Sequence, residues 1–274
     1  MTRSILITGC SSGIGLDAVR TMKARGWRVI ATARKPHDLA RLKSEEGVDA
    51  LYLELADPQS IATCAVDALT LTNGKLDAIF NNAAFGQPGA IEDVTPQLLR
   101  EQFEVNVIGT HDLTRRIIPA MRRNNSGRIV QCSSILGFVA VSYRGPYCAS
   151  KHALEALSTS MRLELADTGI KVSLIEPGPI RSRFVESAME RLLSHIDIEG
   201  SPHREKYLVR LEAMKAGGQS FFKLEPSSVS KRLIHAVESS RPQRRYYVTT
   251  PTYLAAAFKR LLPPFATEYF ATKF

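Results

Sequence analysis

Cysteine is scarce in this 274-residue sequence. The four present, Cys10, Cys64, Cys132 and Cys148, form no Cys-x-x-Cys pair and have no histidine at ligand spacing. That excludes a zinc framework and a disulfide-stapled fold, predicts no metal site, and points to a reducing, cytoplasmic setting. Long hydrophobic runs are missing as well. The N-terminal stretch offers only Ile5-Leu6-Ile7 before Thr8-Gly9, shorter than a secretory core, and no segment approaches the length of a membrane span. Repeats and low-complexity tracts are absent, and 44% hydrophobic with 23% charged residues excludes disordered and fibrous architectures.

Acidic residues are also in short supply, 27 against 36 Lys and Arg, for a net charge of +9. Such an excess admits nucleic acid, an anionic membrane surface or a phosphorylated ligand as partner. Residues 1–202 hold 23 basic and 22 acidic side chains, whereas residues 203–274 hold 13 and 5. The body is electrically balanced and the excess belongs to the last quarter. A nucleic-acid partner is not expected, because no recognition motif accompanies the charge.

Short apolar runs alternate with helix-period segments. Ile5–Ile7, Arg28–Thr32, Ala50–Leu53, Asp77–Phe80, Arg128–Gln131 and Lys171–Ile175 read as buried strands. Ile14–Arg25, Asp38–Glu46, Pro58–Leu71, Pro96–Arg123 and Tyr147–Ala166 read as helices between them. This alternation predicts an α/β fold, a parallel sheet covered on both faces. Beyond Pro177, residues 181–218 carry two short helices punctuated by Gly200-Ser201-Pro202 and Gly217-Gly218, a pattern suited to a lid over a pocket. A helix through Val237 and a last strand at Tyr246-Tyr247-Val248 follow, with no linker to a second domain, so residues 1–274 read as one domain.

Three features carry chemistry. The first is Gly9-Cys10-Ser11-Ser12-Gly13-Ile14-Gly15 between a strand and a helix, where outward backbone N–H groups stabilise a pyrophosphate. A purely structural turn is the alternative for this spacing. The second is the end of the next strand, Ala33-Arg34-Lys35, which has no acid to accept ribose hydroxyls. Arg34 suits a 2′-phosphate, and hence NADP(H) over NAD; a solvated charge pair is the alternative. The third is Tyr147-x-x-x-Lys151, whose side chains share a helix face so that an ammonium lowers a phenol's pKa toward acid/base use. Tyr269 and Lys273 repeat the pattern by chance, but only Tyr147 has Ser134 thirteen residues upstream, at the carboxyl end of a strand. Asn106 lies on the stripe Leu99, Phe103, Asn106, Thr110, Leu113 and Ile117, where an amide is either structural or holds a proton-path water. Phe85, Phe138, Tyr143 and Phe184 follow strand ends and either line an apolar cleft or pack the core and lid. Cys132 and Cys148 read as buried inert thiols, His111 and His152 as packing or surface residues.

Together with Asn81-Asn82-Ala83-Ala84 and Pro177-Gly178, these motifs resemble the classical short-chain dehydrogenase/reductase family over nearly the whole chain. The stretches at 7–15, 80–86 and 172–184 look most like its NADPH-preferring branch, near 17β-hydroxysteroid and retinol dehydrogenases and bacterial aldehyde reductases. The resemblance implies a Rossmann-type doubly wound sheet of about seven strands. It further implies catalysis by Asn106, Ser134, Tyr147 and Lys151. Tyr147 would protonate a carbonyl, Lys151 would also hold the nicotinamide ribose, Ser134 would bind the substrate oxygen, and Asn106 would position a relay water. Cofactor contacts would come from Gly9, Ser11, Ser12, Gly13, Ile14, Gly15, Arg34, Glu54, Leu55, Asn82, Tyr147, Lys151, Pro177, Gly178 and Ser182. Two departures stand out: Ala84 replaces a glycine, and Ser182 replaces a threonine while keeping the hydroxyl. The expected activity is NADP(H)-dependent interconversion of carbonyl and alcohol on a hydrophobic small molecule; a non-catalytic NADP(H)-binding sensor or scaffold is the rival. The resemblance also implies a homodimer or homotetramer. Residues 251–274, basic and apolar, suit weak contact with an anionic membrane surface, or else a solvated face or subunit contact.

Overall fold

The apolar runs become strands because both of their faces are covered. In a computed structural model describing residues 2–215, 222–263 and 265–267, the seven strands are β1 (Ser4–Ile7), β2 (Arg28–Ala33), β3 (Asp49–Tyr52), β4 (Ala78–Asn81), β5 (Gly127–Cys132), β6 (Ile170–Glu176) and β7 (Arg245–Tyr247). Every pairing is parallel and the order is β3-β2-β1-β4-β5-β6-β7. The order reverses between β1 and β4, which opens the crevice where doubly wound sheets bind ligands.

Helices α1 (Gly13–Ala24), α2 (Pro36–Ser44) and α9 (Ser227–Glu238) cover one face, burying Val19, Met22, Leu42 and Leu233 against Ile5, Ile7 and Phe80. Helices α3 (Pro58–Leu71), α5 (Thr110–Arg123) and α6 (Gly145–Glu164) cover the other, burying Ile61, Leu113, Ile117 and Met161 against Leu6, Ile79 and Ile129. Each such aliphatic side chain contributes about 1.5–3 kcal/mol by leaving water. Pro58 opens α3 behind the cap Asp57, whose side chain accepts from Gln59 N at 2.9 Å.

The helix expected over Pro96–Arg123 is broken in register. It comprises α4 (Pro96–Phe103), a π-helical turn over Glu104–Gly109, and α5. The wider turn takes in an extra residue, so the stripe expected through Leu99 and Phe103 runs instead through Leu98, Gln102, Asn106 and Thr110. Leu99 is 41% exposed and Leu98 only 5%.

The excursion after β6 holds α7 (Phe184–His195) and α8 (Arg204–Lys215), as expected, with residues 216–221 outside the described set. It packs through its own small core of Leu192, Ile196, Tyr207 and Leu211 against Ala90 and Leu98. The Tyr207 hydroxyl accepts from Ala90 N at 2.6 Å and donates to Asp93 at 2.7 Å, so its ring is buried without a polar orphan. Helix α10 (Thr250–Leu261) follows β7.

Candidate active site

The turn after β1 is built for close backbone approach. Gly9 and Gly13 have φ of +71° and +55°, a region L side chains avoid. A Cβ on Gly15 would lie 2.1 Å from Gly9 O, and one on Gly9 would lie 2.8 Å from Ala83 Cα. Asn82 braces the turn, donating Nδ2–H to Thr8 O at 2.9 Å and Gly9 O at 3.2 Å. Ser12 caps α1 without a side-chain hydrogen bond and no acid occupies the first turn, which leaves the helix N-terminus open to an anion. The cradle therefore fits a dinucleotide pyrophosphate, and Ser11, Ser12 and Ile14 lie along it. Cys10 is buried, its thiol pushed up to about 12 by burial, and it stays protonated.

Arg34 follows β2 with its side chain 68% exposed and Nη1 3.3 Å from Glu54 Oε2. So open an ion pair is worth little. A second guanidinium, not singled out from the sequence, borders the glycine turn: Arg41 on α2 donates to Ser11 O at 2.7 Å and pairs with Asp38 at 3.5 Å. The sequence offered only a basic residue seven positions after Arg34; its direction toward the glycine turn comes from the fold. Leu55 is buried under α3, and its carbonyl oxygen would lie 1.9 Å from a Cβ on Gly109. Glu54 holds its own loop by accepting from Ala56 N at 3.1 Å.

At the carboxyl end of β5, Ser134 caps a short 3₁₀ turn and accepts from Leu136 N at 3.1 Å. Tyr147 lies in the first turn of α6, and Ser134 is among the groups that act on its phenol. Lys151, 3% exposed, follows one turn on, with Nζ donating to Cys132 O at 2.7 Å and standing 5.7 Å from the Tyr147 ring centroid. The structure thus brings Ser134, Tyr147 and Lys151 together. Their electrostatics differ from the expectation. Burial pushes the phenol above its ordinary range, with Ser134 pulling against it, so Tyr147 rests as a proton donor. Burial pushes Lys151 down, opposed by Cys132 and Glu155. The Cys132 and Cys148 thiols are raised by burial and stay protonated.

Asn106 sits on the π-helical turn with its amide fully engaged. Oδ1 accepts from Phe85 N at 3.1 Å, while Nδ2 donates to Phe85 O at 2.9 Å and Ser150 Oγ at 3.1 Å. Gln102, unflagged in the sequence, donates to Phe85 O at 2.8 Å and accepts from Gln87 N at 2.7 Å. Two buried amides thereby fix the loop after β4. Of the four aromatics, Phe184 faces the site, its ring 5.3 Å from that of Tyr147. Phe85 stacks under Arg191, Phe138 meets Tyr247, and Tyr143 meets His203 and Tyr207.

After β6, Pro177 O accepts from Ile135 N at 2.8 Å, and a Cβ on Gly178 would lie 2.1 Å from Thr249 Oγ1. Ser182 reaches over the glycine turn, its Cβ 3.0 Å from where a Gly13 Cβ would be. Tyr269 and Lys273 lie outside the described residues. Among those described, no cluster of ligating side chains could hold a metal, and no helix is long and apolar enough to cross a membrane.

Fold and site together define an oxidoreductase of the doubly wound α/β class. The short chain dehydrogenase family profile matches residues 3–192. An uncharacterized oxidoreductase of Escherichia coli, YbbO, is 41% identical over 263 residues, covering 96% of this chain and 91% of its own. Human 17-beta-hydroxysteroid dehydrogenase type 1 is 31% identical, with 97% and 83% covered. Among solved structures, an actinorhodin polyketide ketoreductase with NADPH aligns at a TM-score of 0.74 and 27% identity, covering 90% of this chain and 95% of that one. The chain belongs to the short-chain dehydrogenase family.

Proposed function

We propose that this protein is an NADP(H)-dependent carbonyl reductase acting on a hydrophobic aldehyde or ketone, and the corresponding alcohol in reverse. The observation that carries the reading is the convergence of Ser134, Tyr147 and Lys151 beside the Phe184 ring. A cofactor seated in the glycine cradle brings hydride chemistry at its nicotinamide. The chain's own residues handle the oxygen. Tyr147, kept protonated by burial, gives its proton to the substrate carbonyl oxygen as negative charge develops there. Ser134 donates a hydrogen bond to the same oxygen. Lys151 supplies positive charge beside the phenolate that remains. Asn106 acts by holding Phe85, and with it the loop that borders the cofactor. Phe184 supplies apolar surface and keeps water from Tyr147.

Arg34 and Arg41 support NADP(H) over NAD(H), because a 2′-phosphate displaces a weak exposed carboxylate contact and gains charge-assisted hydrogen bonds. The NADPH of the ketoreductase agrees with that preference. Gly9, Gly13, Gly15, Asn82, Pro177, Gly178 and Ser182 shape the cofactor cleft, Glu54 and Leu55 border the adenine, and residues 181–218 form the substrate lid of a single catalytic domain. A cytoplasmic homodimer or homotetramer is the form we expect. A non-catalytic NADP(H) binder is the rival class, and turnover by the wild type decides against it. For residues 251–274, of which 264 and 268–274 lie outside the described residues, weak contact with an anionic membrane surface is supported by the exposure of Tyr253, Leu254, Leu261 and Phe265 beside Lys259 and Arg260.

A further inference from the structure

Behind Lys151 lies a buried charge cluster that the proton transfer does not itself use. Glu155 stands one turn beyond Lys151 on the same face of α6 and is 6% exposed; Glu176, the last residue of β6, is fully buried. Both reach one atom, Arg245 Nη1 on β7, which lies 2.6 Å from Glu155 Oε2 and pairs with Glu176 Oε1. Two buried carboxyls thus share one guanidinium nitrogen, and each disfavours the charge of the other. Burial, then the charge of Glu155, pushes Glu176 up to about 8, which makes Glu176 the neutral partner near pH 7.

The groups facing this pair are few. On α6 they are Lys151 and Arg162; on β7, Arg245 and Tyr247; at the end of β5, Ser133, whose hydroxyl borders Gly137 together with the Glu155 carboxyl. Lys151 itself faces Tyr147, the carbonyl and thiol of Cys132, and Glu155. The Cys132 thiol stays protonated, so Glu155 is the anion acting on that buried ammonium. Arg245 meets the pair from the solvent side, 37% exposed, where water weakens its opposing effect.

We propose that Glu155 is a positioning residue that keeps Lys151 charged, and that Glu176 and Arg245 hold its carboxylate in place. The consequence for the reaction rests on the reading of Tyr147 and Lys151 given above. An isolated buried ammonium gives up its proton; one facing a fixed carboxylate does not. Glu176 adds a reserve, because loss of the Glu155 charge lets Glu176 ionise in its place on Arg245.

The test reads Lys151 directly in the full-length protein, through the pH dependence of its isotope-labelled Cε resonance, assigned with K151M. E176Q removes a carboxyl that is neutral only below about pH 8, and is expected to move the Lys151 titration less than E155Q does. E155Q lowers it part of the way. E155Q/E176Q removes both possible anions and lowers it by about one pH unit or more. E155D keeps the charge and stays near wild type, so the E155Q–E155D comparison remains decisive should the double variant not fold. In turnover, the alkaline limb of carbonyl reduction moves to lower pH in the double variant, and less in E176Q. A Lys151 titration unmoved in both E155Q and the double variant, or moved as far by E176Q as by E155Q, overturns the proposal. A wild type that turns over no carbonyl sinks the assigned reaction while the resonance still decides the role of Glu155; turnover with an unmoved resonance sinks that role alone.

Discussion

The Phe184 ring lies 5.3 Å from the Tyr147 ring at an interplanar angle of 59°, so the first residue of the lid helix covers the proton donor. It also crowds Gly86, where a Cβ would sit 3.0 Å from Phe184 Cζ and 3.5 Å from Tyr147 Cδ2. Lid, loop and catalytic helix therefore meet at one aromatic contact. Phe184→Ala is expected to raise KM for apolar carbonyls by about tenfold, matching lost apolar burial of 1–2 kcal/mol. Because burial is what raises the phenol, its ultraviolet ionisation moves to lower pH in the same variant. An unchanged KM together with an unchanged phenol titration would assign Phe184 to packing alone.

Arg34→Ala is expected to raise KM for NADPH by roughly 10- to 100-fold, the worth of one or two charge-assisted hydrogen bonds, and to leave KM for NADH within about twofold. Adding Arg41→Ala deepens the NADPH defect. Steady-state kinetics with both cofactors checks this, and equal losses for the two would remove the 2′-phosphate from the account.

Glu176 ties stability to pH. Its carboxyl is raised in the folded protein from an ordinary 4.5 to about 8, so between those values the folded state binds more protons than the unfolded one. Stability from this group is present at low pH and is lost as pH rises through that window. Glu176→Gln is expected to flatten the decline, which denaturant melts at pH 5 and pH 8 would reveal as a smaller difference than in wild type. A decline of the same size in the variant contradicts the assignment.

The C-terminal helix offers a separate prediction. Tyr253, Leu254 and Leu261 are about half exposed or more, beside the cationic Lys259 and Arg260. Sedimentation with anionic vesicles at low salt is expected, reversed by salt and lost in Leu254→Glu/Leu261→Glu. No sedimentation at low salt would leave this face to solvent or to a second subunit.

How far the sequence spoke depended on the range of the interactions involved. The strands were legible because burial on both faces leaves runs such as Ser4–Ile7 and Ala78–Asn81 almost without polar interruption. Tyr147 and Lys151 were legible because a helix converts a spacing of four into a shared face. The π-helical turn at Glu104–Gly109 was not, since it is imposed by contacts from elsewhere: Asn106 and Gln102 bonding Phe85, and Gly109 lying against Leu55 O. That tertiary demand turned α4 so that Leu98 rather than Leu99 is buried. Charge effects were the least legible of all. Sequence spacing predicted a phenol lowered by Lys151, whereas depth in the fold raises it, and the pairing of Glu155 with Glu176 and Arg245 joins residues from three separate elements.

The most direct test of the central claim is NADPH consumption by purified protein across a panel of hydrophobic aldehydes and ketones, wild type beside Tyr147→Phe, with NADPH binding measured for both. The account predicts turnover by wild type and a loss of at least about a thousandfold in Tyr147→Phe, which still binds NADPH, because the proton donor alone is removed. A wild type that binds NADPH yet reduces nothing, or a Tyr147→Phe protein as active as wild type, would contradict it.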